Sequence, residues 1–139
     1  MKKLYDKSVL IVDDDTTMLR ALDKVLTGEG AVVTCADSAG DAVEIVTGRQ
    51  KRIDLVITDL RMPLVTGITM IYAIREILPA MPVIVLTALG SPAIKAECLR
   101  LGAMAILEKP MDTPQLLTAI NGVFESHEFN HKSSRITNI

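Results

Sequence analysis

Five times along this chain a short aliphatic run gives way to a longer segment of helical period, and that alternation leaves few folds open. The runs are "SVLIVD" (8–13), "AVVTCA" (31–36), "IDLVITD" (53–59), "VIVLTA" (83–88) and "AMAILEKP" (103–110). A strand with one wet face alternates apolar and polar residues. Continuous runs belong to strands covered on both faces, which parallel sheets supply and helices cover. The intervening segments meet that need. Residues 16–30 put Leu19, Leu22, Val25 and Leu26 on one face and stop at Gly28 and Gly30; residues 38–49 turn Ala39, Ala42, Val43 and Val46 inward. Residues 68–79 do the same with Ile71, Ile74 and Leu78. Ser91 followed by Pro92 opens the fourth helix with an N-cap and a first-turn proline, and Asp112 before Thr113 and Pro114 repeats the device. The fifth helix, to residue 127, buries Leu116, Leu117, Ile120 and Phe124.

The expected fold is therefore α/β, a single (βα)5 doubly wound parallel sheet of the flavodoxin-like type with strand order 2-1-3-4-5. Residues 6–126 form the expected domain, and 127–139 read as a polar tail or the start of a linker.

Composition narrows the function. The 139 residues are 49% apolar and 23% charged, as in a globular domain, but only 3% aromatic with no Trp. The core must be aliphatic, and base-stacking nucleic-acid modules are disfavoured. A net charge of −2, from 15 basic and 17 acidic residues, gives no footprint for phosphate backbones. Direct nucleic-acid binding is not expected. The basic start "MKKLYDK" leads to an apolar run that ends in acids, not in a cleavage site, and nothing approaches the ~18 apolar residues of a membrane span. A cytoplasmic location is expected. Cys35 and Cys98 share no metal-ligand or disulfide spacing and read as reduced, half-buried thiols.

The chemistry lies at the carboxyl ends of the runs. The first ends in Asp13, Asp14 and Asp15, the third in Asp59, the fourth in Thr87, and the fifth in Glu108-Lys109-Pro110. In the inferred order the first and third strands are neighbours, so their carboxylates share one crevice at the topological switch, where such folds bind ligands. Two carboxylates ~4 Å apart repel by roughly 4 kcal/mol at an effective dielectric near 20. A hard divalent cation removes that repulsion, and a carboxylate-rich oxygen set suits Mg²⁺. A hydroxyl and an ammonium on the next two strands would serve the oxygens of a phosphoryl group, which points to an aspartyl phosphate. Asp15, directly before Thr16, is the better helix cap.

The ordered set "LIVDDD…ITDLRMP…VLTA…EKP" resembles the receiver domain of two-component response regulators, over roughly residues 6–126. The resemblance implies Asp59 as phospho-acceptor, Asp14 as a direct Mg²⁺ ligand (with Mn²⁺ able to substitute), Asp13 as a ligand through water, and the Arg61 backbone carbonyl as another ligand. It implies that Thr87 and Lys109 contact the phosphoryl group and that Pro110 follows a cis bond. The implied donor is a sensor histidine kinase or phosphotransfer protein, and catalysis is limited to the protein's own phosphorylation and dephosphorylation. The implied output surface comprises the fourth helix, fifth strand and fifth helix, about residues 91–126, through which an effector docks or a second copy dimerises.

The sequence departs from the family's pattern in places. Ile106 stands three residues before Lys109, where the family carries its switch aromatic. Leu89, two residues past Thr87, cannot orient a water, so slow self-dephosphorylation is expected. "DDDTT" also fits the first motif of haloacid-dehalogenase-like phosphatases, with Asp13 as nucleophile, but that reading leaves Asp59-Leu60-Arg61-Met62-Pro63 unexplained.

Overall fold

The computed structural model describes residues 4–48, 51–60, 67–88 and 91–137, with side chains to residue 126. The elements alternate without exception: β1 (Ser8–Val12), α1 (Thr16–Gly28), β2 (Val32–Ala36), α2 (Ala39–Thr47), β3 (Leu55–Asp59), α3 (Gly67–Ile77), β4 (Val83–Thr87), α4 (Pro92–Arg100), β5 (Ala105–Glu108) and α5 (Thr113–Thr137). All paired strands are parallel and lie in the order β2-β1-β3-β4-β5, as the aliphatic runs require. β1, β3 and β4 are buried at every position, whereas the edge strands β2 and β5 are only partly covered.

Two apolar layers follow from the pleat, since successive side chains in a strand face opposite sides. Leu10, Val12, Val56, Val83 and Val85 pack with Met70, Ile71 and Ile74 of α3 and with Cys98 of α4. Val9, Ile11, Leu55, Ile57 and Leu86 pack with Leu19, Leu22 and Leu26 of α1 and with Leu116, Ile120, Val123 and Phe124 of α5. The core contains one aromatic ring among its buried residues, Phe124, as the composition demands.

The caps expected at Asp15 and Ser91 form, and Ser38 adds one that was not foreseen. Asp15 accepts from the N–H groups of Thr17 and Met18, Ser38 from Asp41, and Ser91 from Ile94 with Pro92 in the first turn. The fifth helix differs: it runs to Thr137 instead of closing near residue 127. No Gly or Pro follows Gly122, so nothing in the backbone ends the helix once the apolar stripe stops. The thiols also differ from expectation, because neither is half-buried: Cys35 is exposed on the edge strand and Cys98 is fully buried beneath α4.

Arg75 supplies a tie that periodicity cannot show. From the last turn of α3 its guanidinium donates to the carbonyls of Leu101 (2.8 Å), Gly102 (2.8 Å), Pro79 (3.0 Å) and Met81. It thereby joins the end of α4 to the entry of β4. Gly102 is required at this point: its φ is +88°, and a Cβ there would lie 3.0 Å from Arg75 Nε. Arg75→Met keeps the aliphatic stem but strands these acceptors. It should destabilise the domain by about 2 kcal/mol, a Tm loss of roughly 6–10 °C, read by thermal or urea unfolding. An unchanged midpoint would show the tie to be dispensable.

Candidate functional site

The sheet brings the expected residues to one end. β1 and β3 are hydrogen-bonded neighbours with Val12 opposite Thr58, so Asp13 and Asp59 leave the sheet side by side. Thr87 follows Leu86, the register partner of Asp59, and Lys109 is fixed by its own N–H donating to the Thr87 carbonyl at 2.8 Å. Five described polar or charged residues are buried, and three of them are Asp13, Asp59 and Thr87. A site placed by chance would not collect them.

Asp13, Asp14 and Asp59 each offer a carboxylate oxygen, and these oxygens lie within 4.8 Å of one another. Lys109 Nζ stands 3.2 Å from both Asp13 Oδ2 and Asp59 Oδ2. The other oxygen of Asp13 accepts the Asp15 N–H at 2.9 Å. Both Asp13 oxygens are therefore engaged, while Asp14 is exposed beside them. Among the described residues, three carboxylates stand against one ammonium, an excess of negative charge that suits a divalent cation. The donor set is all hard oxygen, so the residues present fit Mg²⁺.

Burial and charge pull these groups differently. Asp13 is held above the ordinary carboxylate value because desolvation outweighs the Asp15 N–H and the Lys109 ammonium, with Asp59 adding like-charge repulsion. Burial draws Lys109 down, but Asp13 and then Asp59 outweigh it and hold the ammonium above its ordinary value. The two directions coexist because the Asp13 side chain is 2% exposed and that of Lys109 is 18% exposed.

The approach to Asp59 is tight. A Cβ on Gly67 would meet the Asp59 carbonyl at 2.6 Å, so only glycine lets the start of α3 close on the strand. Thr58, fully buried, donates its hydroxyl to the same carbonyl at 2.9 Å. The bond between Lys109 and Pro110 is cis. Arg61, Leu89 and the Met62-Pro63 pair lie outside the described residues. Glu108 is exposed and pairs with Lys95 of α4, a contact that sequence spacing did not show. The anchoring role of Asp15 for Asp13 was also not foreseen; the signal was the two-residue spacing at which an Asp side chain bonds a following N–H.

A family model of the response regulator receiver domain matches residues 9–121. The chain belongs to the response regulator receiver family. Its fold is shared with the receiver domain of a response regulator from Clostridium thermocellum, at 32% identity and a TM-score of 0.83, over 88% of this chain and 98% of that one. CheY of Borrelia burgdorferi, solved as a CheX–CheY–BeF3–Mg complex, is 32% identical with a TM-score of 0.82, over 86% of this receiver and 90% of that chain. Among curated proteins, the transcriptional regulatory protein GlrR of Escherichia coli is 37% identical over 117 residues, which is 84% of this receiver and 26% of GlrR. The receiver thus spans about a quarter of the length of such relatives. Those relatives are regulators rather than conventional enzymes. No described helix is long and apolar enough to cross a membrane.

The raised value of Asp13 fixes a pH signature for the metal-free receiver. A carboxyl so shifted stabilises the fold below its ordinary value of 3.8, and that contribution is lost as pH rises through the raised value. Asp13→Asn removes the titration. In chelator, the Tm difference of Asp13→Asn minus parent should therefore grow more positive from about pH 4 to pH 7. A difference independent of pH would contradict the assignment.

Proposed function

We propose that this receiver accepts a phosphoryl group on Asp59 from the phosphohistidine of a sensor histidine kinase or phosphotransfer protein. The reading is carried by one observation: the Asp59 carboxylate shares the Lys109 ammonium with Asp13 at the switch point of the sheet. An Asp59 oxygen attacks phosphorus, the P–N bond of the donor breaks, and its electron pair stays on the imidazole nitrogen. Lys109, kept charged by its neighbours, turns from the carboxylates to a phosphoryl oxygen. Thr87, buried at the carboxyl end of β4, donates its hydroxyl to a second.

In this reading Mg²⁺ (or Mn²⁺) is held by Asp14 and Asp59 directly, by Asp13 through water, and by the Arg61 carbonyl. The division between Asp13 and Asp14 has support in their surroundings, since Asp13 has both oxygens committed and Asp14 is open. The cation supplies charge neutralisation at the crowded carboxylates and at the incoming phosphoryl oxygens. The relative solved with BeF3 and Mg is consistent with that chemistry in this fold.

Residues 6–126 are then the phosphorylated unit and 127–139 its extension, acting in the cytoplasm. The altered surface is that of α4, β5 and α5, where an effector docks or a second copy pairs. α4 suits this role, for Cys98 is its only buried residue and Ile94 and Leu99 are exposed. Leu89 gives the aspartyl phosphate a long life, and the protein's own phosphorylation and dephosphorylation are its only catalysis.

Treatment with acetyl phosphate and Mg²⁺ should add one phosphoryl group at Asp59, trapped by borohydride and located by peptide mass. Asp59→Asn should abolish the label; a label on Asp13 would refute the reading. Leu89→Gln, which can orient a water, should shorten the phosphoryl half-life severalfold. An equal half-life would remove Leu89 from the account.

A further inference from the structure

We infer that Asp15 is a positioning residue for the metal site, acting through its helix-capping geometry and not through its charge. The inference rests on the reading of Asp13 and Asp14 as Mg²⁺ ligands. Asp15 makes two kinds of bond at once. Its carboxylate accepts from the N–H of Thr17 at 2.9 Å and of Met18 at 3.3 Å, which locks its backbone at φ −86° and ψ 104°. In that conformation its own N–H points back and donates to Asp13 Oδ1 at 2.9 Å.

The two bonds form a relay from the rigid helix to the buried ligand. Asp13 is tied on its other side as well, its N–H donating to the Ala36 carbonyl at 3.1 Å. Asp14 therefore sits on a turn of one residue whose ends are both pinned. Its carboxylate is exposed on that turn, and it is the group required to meet the cation directly. Pinning also divides the Asp13 carboxylate, with Oδ1 held by the turn and Oδ2 aimed at Lys109. Without the cap, the Asp15 N–H loses its fixed direction and both ligands gain conformers that the cation must freeze out.

The alternative is that a fourth negative charge simply attracts the cation. Two substitutions separate these accounts. Asp15→Ser retains a capping oxygen and loses the charge; Asp15→Glu retains the charge but is a poor cap. Mg²⁺ affinity is measured by calorimetry on the full chain, with the Asp15 amide resonance recorded without metal. Positioning predicts near-parental affinity for Asp15→Ser, and a loss of roughly tenfold for Asp15→Glu and Asp15→Ala, the low end of what loss of an outer partner does. It also predicts that the position-15 amide keeps its hydrogen-bonded shift in Asp15→Ser and moves in the other two.

Ser38→Ala removes the comparable cap of α2 and should lower Tm without changing Mg²⁺ affinity, which separates loss of stability from loss of the site. Weak binding by Asp15→Ser with parental binding by Asp15→Glu would overturn the inference. So would parental affinity in all the variants. If the parent itself binds no Mg²⁺, the metal reading fails with it, and the amide shifts then report on the relay alone.

Discussion

The ammonium of Lys109, held 3.2 Å from the carboxylates of both Asp13 and Asp59, is the contact on which the functional end of this sheet depends. Asp13 and Asp59 are almost without solvent, and Asp14 adds a third charge within 4.8 Å. Bare carboxylates so placed would repel one another or take up protons. Lys109 offsets part of the repulsion and arrives from two strands beyond β3, the strand that carries Asp59. Its position explains elements that otherwise look slight. β5 is only Ala105–Glu108 and half-covered, yet it ends beside Thr87, and the Lys109 N–H bond to Thr87 fixes where the side chain starts.

The same residues show what the arrangement costs. β1, β3 and β4 are buried along their whole length and could pack as pure aliphatic strands. Apart from Ser8 at the start of β1, their acids and hydroxyls lie at the carboxyl end, where the parallel sheet opens to the crevice. Local rules of stability are broken there and kept elsewhere, as expected of a functional site. Among the described residues, negative charge remains beyond what Lys109 neutralises. That remainder sets the demand for a cation, while burial above all, with a smaller push from Asp59, raises the affinity of Asp13 for a proton.

Much of this was legible in the chain because the signals are local. Continuous aliphatic runs identify buried strands, and each acid, hydroxyl or lysine sits immediately after one, so a strand order suffices to bring Asp13, Asp14, Asp59, Thr87 and Lys109 together. Caps are equally local, which is why Asp15 and Ser91 read correctly. What escaped depends on long-range contacts or on backbone donors. Arg75 looks like a surface residue of α3 until the carbonyls of Leu101 and Gly102 are seen to meet it. Cys35 and Cys98 look alike in sequence, and only their placement on an edge strand and beneath a helix separates them. The length of α5 escaped because the apolar stripe marks where a helix packs, not where it ends.

The helix least bound to the core is the one next to the site. α4 buries only Cys98; its C-terminal end is held by Arg75 through Leu101 and Gly102, and its N-terminal half by the ion pair of Lys95 with Glu108. Glu108 precedes Lys109 directly. Ile106, where the family carries an aromatic ring, is packed against the layer that contains Cys98. A branched aliphatic chain at that position has no ring to rotate between a buried and an exposed setting. Among the described residues, a backbone and ionic path runs from the carboxylate site to α4: the Thr87 carbonyl to the Lys109 N–H, then Glu108 to Lys95. An exposed ion pair of this kind contributes about 1 kcal/mol or less. α4 is thus tied weakly in its N-terminal half, which pairs with the residue before Lys109, and strongly at its C-terminal end, where Arg75 holds Leu101 and Gly102.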